Sequence, residues 1–325
     1  MGEISGLKVL FVSAEVEPFA KTGGLADVAG SLPKQLAGMG NDVRVVMPRY
    51  KCIESEMNYS ADFPVFLDQR EETCIIRETE LGFTHNGANR NLTVYFADNY
   101  HFFDRPGIYC HPDDDRRFAF FCRAVLEMLP AIGFKPDIIH CNDWHTGPIG
   151  MLLEEIYRKQ DFYRNIATVF TVHNLEYQGN FPMETYELFG VGRHVLTPET
   201  AEFYGSFSFM KAGLVYADVI NTVSRMYAEE IQTPEYGEKL EGVLQKRSRD
   251  LYGIINGISY EQFDPCSDPH VYRNYRADCV ELKYDNKKIL QQEMGLPVCD
   301  VPLMGIVSRL TGQKGFDLII ECMDE

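Results

Sequence analysis

The sequence predicts an α/β protein: a doubly wound, mostly parallel sheet, followed by the beginning of a second domain of the same kind. Three observations predict it. Short, continuous apolar runs of strand length recur along the chain, as strands buried on both faces require. Amphipathic helical stretches fall between those runs. The runs end in polar residues, as expected where the carboxyl ends of parallel strands open on a ligand crevice.

The elements follow in order. "LKVLFVSAE" is the first buried strand. Leu25, Val28, Ala29, Leu32 and Leu36 then share one helical face, with Gly38 and Gly40 as a stop signal and Pro33 as a point of kinking. "DVRVVMP" is the next strand, which completes a βαβ unit and so implies a parallel sheet. "TCIIRETELGF" and "LTVYFAD" read as a hairpin inserted into the parallel order, and "RRFAFFCRAVLEMLPAIG" as a helix. "PDIIHCND", "IATVFTVHN" and "ADVINTVS" are three more buried strands, separated by helices around Met151 to Arg158 and Phe209 to Tyr216. Asn142, Asp143, His145, His173, Asn174 and Ser224 lie just past these strands. They converge on one sheet edge with the loop at Lys21.

A charged segment, "TPEYGEKLEGVLQKRSRD", precedes the strand-like run "LYGIINGISYEQFDP", which places a domain boundary near Gly253: residues 1–253, then 254–325. "VPLMGIVSR" reads as a strand leading into a loop and helix, "LTGQKGFDLIIECMDE". The roughly 70 residues after the boundary are too few for a whole doubly wound domain.

Composition narrows the function classes. A length of 325 residues suits two domains, and 45% hydrophobic residues fill real cores. The formal charge of −17 argues against nucleic acid and anionic membranes as partners, so a phosphate-bearing ligand needs a local cluster of Arg or Lys. The nine cysteines form no C-x-x-C pair and read as reduced thiols of a cytoplasmic protein. The start lacks a signal peptide's apolar core, and no run approaches the ~20 apolar residues of a membrane span.

Within "KTGGLAD", Lys21, Gly23, Gly24 and Asp27 stand at the entrance to the first helix. A helix N-terminus presents unpaired N–H groups and partial positive charge, and glycines let a ligand approach the backbone. The segment therefore has the makings of an anion or polar-ligand loop. A solvated Lys21 and an Asp27 that complements the helix dipole are the ordinary alternatives. The loop fits neither G-x-G-x-x-G nor G-x-x-x-x-G-K-[ST], which argues against a nicotinamide enzyme and an NTPase.

"KTGGLADVAGSLPKQL" resembles the signature of bacterial glycogen synthases and plant starch synthases, retaining glucosyltransferases with two Rossmann-like domains in the GT-B arrangement. "DRPGIYC", "HCNDWHTGPIG", "TVFTVHNLEYQGNF", "FMKAGLVYADVINTVS", "IINGIS" and "VSRLTGQKGFDLI" extend the resemblance, in order, over nearly the whole chain. It implies glucose transfer from ADP-glucose to the non-reducing end of an α-1,4-glucan (glycogen, starch or maltooligosaccharide), with no metal or other cofactor. By resemblance, Lys21, Gly23, Gly24, Asp27 and Asn256 serve the donor, and Tyr109 and Asp143 the glucan. His173 meets the transferred glucose, and Arg309 and Lys314 hold the departing diphosphate. The arginine can fork two phosphate oxygens while the lysine acts as a point charge. Taken without the resemblance, Asp143 and His173 could be structural strand-end residues, Tyr109 a packing residue, Asn256 a turn residue, and Arg309 and Lys314 exposed cations.

His140, His145 and His173 share no clear ligand geometry for zinc, and "HPDDD" at His111 to Asp115 reads as a solvated acidic turn rather than a metal motif. Two departures stand out. Ser259 follows "NGI" where the family usually has aspartate, and Phe263 stands near its usual tryptophan. The family's glutamate loop and most of its base pocket have no counterpart here, so the expectation is a synthase fragment with little activity alone. Two rival functions remain: a non-catalytic glucan-binding or regulatory protein, and a GT-B enzyme with another donor and acceptor. The setting expected is cytoplasmic, with a plastid as the alternative.

Overall fold

Lys8–Val12 (β1) buries four successive residues, Val9 to Val12, as a strand covered on both faces must. It heads a sheet in a computed structural model that describes residues 6–260 and 263–323. The chain divides into two units, the first ending at Asn256 and the second beginning at Gly257.

In the first unit, β1 is followed by Asp42–Pro48 (β2), Asn58–Leu67 (β3), Arg70–His85 (β4), Ala88–Asp98 (β5), Ile138–Asn142 (β6) and Ala167–Val172 (β7). Asn180–Pro182 (β8), Glu202–Phe203 (β9), Ser206–Ser208 (β10), Val219–Thr222 (β11) and Leu251–Gly253 (β12) complete the strands. Nine of them form one sheet in the order β12-β11-β7-β6-β1-β2-β5-β4-β3. The run from β12 to β5 is parallel. β4 and β5 pair antiparallel, as the two apolar runs predict, and β3 extends that hairpin. The sequence does not announce β3. It is an edge strand with alternating burial and an internal Pro64, so it lacks the continuous apolar run. The small sheet β8-β10-β9 is silent in the sequence for a similar reason: its strands are two or three residues long.

The helices are Gly24–Gly38 (α1), Tyr100–Phe103 (α2), Asp114–Ala131 (α3), Pro148–Glu155 (α4), Phe209–Tyr216 (α5), Arg225–Glu230 (α6) and Glu241–Lys246 (α7). The helix α1 runs unbroken through Pro33, which is buried, and stops where Gly40 adopts φ 94°. Its glycine at position 30 is required by close approach. A Cβ there would sit 2.5 Å from the Glu17 carbonyl oxygen, and Glu17 N–H already bonds the Ala26 carbonyl. The segment leaving β1 is thereby clamped to the first turns of α1. No helix among the described residues is long and apolar enough to cross a membrane.

The "HPDDD" segment is not a solvated turn. Asp114 is buried and accepts from Cys110 N, His111 N and the guanidinium of Arg117, and Asp113 takes a two-pronged bond from Arg105. Arg117 is fully buried and also donates to the Phe102 and Ile108 carbonyls. A buried ion pair survives only with such additional hydrogen bonds. These hold the loop that carries Tyr109.

In the second unit, Lys283–Glu293 (α8) and Phe316–Cys322 (α9) form, but Val301–Arg309 does not become the expected strand. The described residues of this unit contain no other strand, and a strand without a ladder partner leaves its N–H and C=O groups unpaired. Likewise the run from Leu251 is a strand only to Gly253. Of that run, Glu261 and Gln262 lie outside the described residues, as do Asp324 and Glu325 at the end of "LTGQKGFDLIIECMDE" and residues 1–5 at the start.

Candidate active site

After β1 the chain builds β2 on one side and later returns to place β6 on the other, so the strand order reverses between β1 and β6. In open α/β sheets such a switch point opens a crevice at the carboxyl ends of the strands. Two segments leave the sheet there: Ser13 to Glu15 after β1, and Asp143 to Thr146 after β6.

Glu15 is 3% exposed and organises the first segment. Its Oε2 accepts from Thr22 N at 2.5 Å and Gly23 N at 3.1 Å, and its Oε1 accepts from the Thr22 hydroxyl at 2.7 Å and the Tyr109 hydroxyl at 2.7 Å. Lys21 pairs with Asp27 at 2.5 Å rather than standing alone in solvent, and Asp27 occupies the first turn of α1. That pairing raises the Lys21 pKa above its ordinary value. Gly23 and Gly24 are not required by the fold. Neither has a left-handed backbone, and a Cβ on either would meet nothing within 4 Å.

Asp143 organises the second segment. It is 8% exposed and adopts φ 55°, ψ 178°, a region that L side chains rarely enter and that costs about 1–3 kcal/mol. Two main-chain-anchored bonds hold it there: Asp143 N donates to the Thr171 carbonyl at 2.9 Å, and Oδ1 accepts from His173 N at 2.7 Å. Burial raises the Asp143 pKa, against the opposing pull of His173. The imidazole of His173 is fixed from behind by Asn142. The amide nitrogen of Asn142 is spent on the Val12 and His140 carbonyls, so its oxygen faces His173 Nε2 at 3.0 Å, and Nε2 carries the proton.

An aromatic ladder joins the two segments. Tyr109 stacks on His145 with ring centroids 4.7 Å apart, and His145 stacks on Trp144 at 3.9 Å. Burial, with Tyr50 and Glu15 nearby, pushes the Tyr109 hydroxyl well above its usual pKa, so it remains a donor to Glu15. Burial and the charge of Arg117 hold His145 neutral.

The structure thus brings Gly23, Tyr109, Asp143 and His173 into one bonded and stacked set, with Lys21 and Asp27 paired beside it. Gly24 opens α1 at the same loop. Asn174 and Ser224 have local tasks: Asn174 accepts from Glu176 N, and Ser224 caps α6 by accepting from Tyr227 N. Asn256 is exposed, three residues beyond the edge strand β12. Arg309 and Lys314 belong to the second unit, where both are exposed, Lys314 in the turn Gly312–Lys314. The three histidines weighed for zinc are engaged separately: His140 Nε2 bonds Thr171 Oγ1, His173 bonds Asn142, and His145 lies in the stack. A cavity of about 660 Å³ lined by residues such as Tyr204, Lys239 and Lys246 shares none of these residues.

Two residues of this site carry no role that motif spacing predicts. Glu15 is the more important, and its only signal is an acid three residues past the first strand. Asn142 is visible as a strand-end residue, but its effect on His173 depends on a contact across strands.

The starch synthase catalytic domain family model matches residues 8–246. The chain is 57% identical to a glycogen synthase of Desulforudis audaxviator over 98% of its own length and 65% of that protein's. It is 54% identical to one from Moorella thermoacetica, over 98% of this chain and 64% of the relative. The chain therefore spans about two thirds of the length of these relatives, or slightly less. Among solved structures, the catalytic domain of starch synthase IV from Arabidopsis thaliana, bound to ADP and acarbose, matches with a TM-score of 0.88 and 32% identity over 98% of this chain and 66% of that one. The α/β fold is accordingly of the GT-B class, and the chain belongs to the starch synthase catalytic domain family.

Proposed function

We propose that the protein elongates α-1,4-glucans, transferring glucose from ADP-glucose to a non-reducing end with retention of configuration. The observation that carries this reading is the joining of the glycine loop, Tyr109 and the Asp143–His173 pair at one switch point. The names of the relatives support the reaction, and the ADP and acarbose bound to the Arabidopsis enzyme support the substrate classes.

In this reading the open backbone at Gly23 and Gly24, with Lys21 and Asp27, receives the donor, together with Asn256. His173 keeps its proton on Nε2 and offers its other ring nitrogen to a hydroxyl of the transferred glucose. Asp143 and Tyr109 face the glucan. As the bond between the anomeric carbon and the diphosphate breaks, the sugar gains oxocarbenium character and the diphosphate gains negative charge. Arg309 and Lys314 neutralise that charge without a metal ion, and one such preorganised contact lowers a barrier by about 3 kcal/mol. The free thiols of all nine cysteines support a reducing, cytoplasmic setting.

Trp144 is the single tryptophan, and it stands within the site, so its fluorescence tests the reading. Maltoheptaose and ADP-glucose are titrated separately, and glucan products are followed by mass spectrometry. A saturable response to maltoheptaose, lost in Tyr109→Ala, and a weaker one to ADP-glucose are expected. A response to glucan alone points to a non-catalytic glucan-binding protein, and a response to UDP-glucose but not ADP-glucose to another donor. Silence towards every ligand refutes the reading.

A further inference from the structure

An ionised carboxylate offers about four lone-pair positions. Glu15 fills all of them, two on each oxygen. Three bonds reach the glycine loop, through both the main chain and the side chain of Thr22 and the main chain of Gly23. The fourth reaches Tyr109, on the loop fastened by Arg117. The connection between glycine loop and tyrosine runs through this one carboxylate. It also orients the phenol: the only hydroxyl proton of Tyr109 is committed to Glu15, so its oxygen meets a ligand with lone pairs. A ligand hydroxyl must then donate to Tyr109, and such a donor strengthens the Tyr109–Glu15 bond by polarising the chain O–H···O–H···O⁻.

We propose that Glu15 is a positioning residue that couples the two substrate sides, so that a glucan seated at Tyr109 orders the loop from Lys21 to Gly24. By reciprocity, a donor seated on that loop firms the hold on Tyr109. The coupling rests on the reading of Tyr109 as a glucan contact.

Amide hydrogen exchange of the 325-residue chain, read at Thr22 and Gly23 by mass spectrometry with and without maltoheptaose, tests it without reference to turnover. In the unliganded protein, Glu15→Ala speeds exchange at both amides by on the order of tenfold, the loss of a charge-assisted acceptor. Glu15→Gln restores most of the protection, because its amide oxygen can face the two N–H groups while its NH₂ faces the two hydroxyls. Saturating maltoheptaose slows exchange at both positions in the parent chain. In Tyr109→Phe, with maltoheptaose raised until the Trp144 signal saturates, exchange no longer responds. If glucan saturates the parent chain and exchange at Thr22 and Gly23 stays the same, the coupling is wrong and the glucan reading stands. The coupling is equally wrong if Tyr109→Phe still transmits the response, or if Glu15→Ala leaves exchange unchanged. If no glucan binds at all, both fall.

Discussion

His140 occupies the middle of β6, 9% exposed, with its ring 4.6 Å from that of Phe11 and its Nε2 bonded to Thr171 Oγ1 at 2.6 Å. The Thr171 hydroxyl donates onward to Asn221 Oδ1, so it accepts from His140, whose proton lies on Nε2. Burial, reinforced by His173, lowers the pKa from 6.5 to about 3. The sign follows from linkage. Between those values the unfolded chain holds the proton and the folded chain does not, so stability is full above pH 6.5 and is lost as pH falls towards 3. The whole interval corresponds to roughly 5 kcal/mol, of which about 2.5 kcal/mol is lost between pH 7 and pH 4.5.

His140→Gln isolates this contribution. Glutamine keeps an N–H for Thr171 and does not titrate. The lost ring packing against Phe11 lowers stability equally at both pH values and cancels in the difference. Asp143 works in the opposite direction, because its raised pKa makes stability fall as pH climbs above 3.8, but it does so in both proteins. Urea unfolding followed through Trp144, at about pH 7 and about pH 4.5, should show the variant losing about 2.5 kcal/mol less than the parent over that interval. Equal losses in the two proteins would refute a neutral, buried His140.

Three further outcomes follow from the site. Asp143→Gly should be more stable than Asp143→Ala by about 1–2 kcal/mol in urea, the reverse of the usual order, because only glycine relaxes φ 55° with ψ 178°; alanine equal to or above glycine would show that the backbone there is unstrained. Gly24→Ala should raise stability by about 0.5–1 kcal/mol while weakening the ADP-glucose response, since a Cβ meets nothing in the fold. Asn142→Ala should convert His173 from a single Nε2–H tautomer into a mixture, seen in the nitrogen shifts of the ring, and an unchanged spectrum would remove Asn142 from the site.

Much of the fold and site is legible in the sequence because it depends on periodicity and on position along strands. The apolar runs at Val9 to Val12 and Ile138 to Cys141 announce buried parallel strands, and polar residues such as Asp143 and His173 mark where those strands end. The strand expected at Val301–Arg309 fails for a physical reason: periodicity describes a segment, while a strand is a property of a pair. Acidity misleads at Asp113 to Asp115 in a similar way. Three consecutive carboxylates look solvated in a sequence, but Arg105 and Arg117 lie eight residues before Asp113 and three after Asp114, and they supply charges that permit burial.

Glu15 and Asp143 show why the remainder is hidden. Each carboxylate is buried, and each accepts main-chain N–H groups from a segment distant in sequence or across a loop: Thr22 and Gly23 for the first, His173 for the second. A carboxylate in that position does more than a charge on a surface, because it replaces the helix or strand partner that the loop's N–H groups lack. Removing either leaves unpaired donors at the crevice and frees the residues beside them. The unusual backbone of Asp143 fits the same logic. A rigid bond to His173 N at 2.7 Å fixes where the carboxylate must be, and the chain accepts a rarely used conformation to place it there. The site's geometry is therefore set by where main-chain donors need acceptors, which motif spacing alone does not encode.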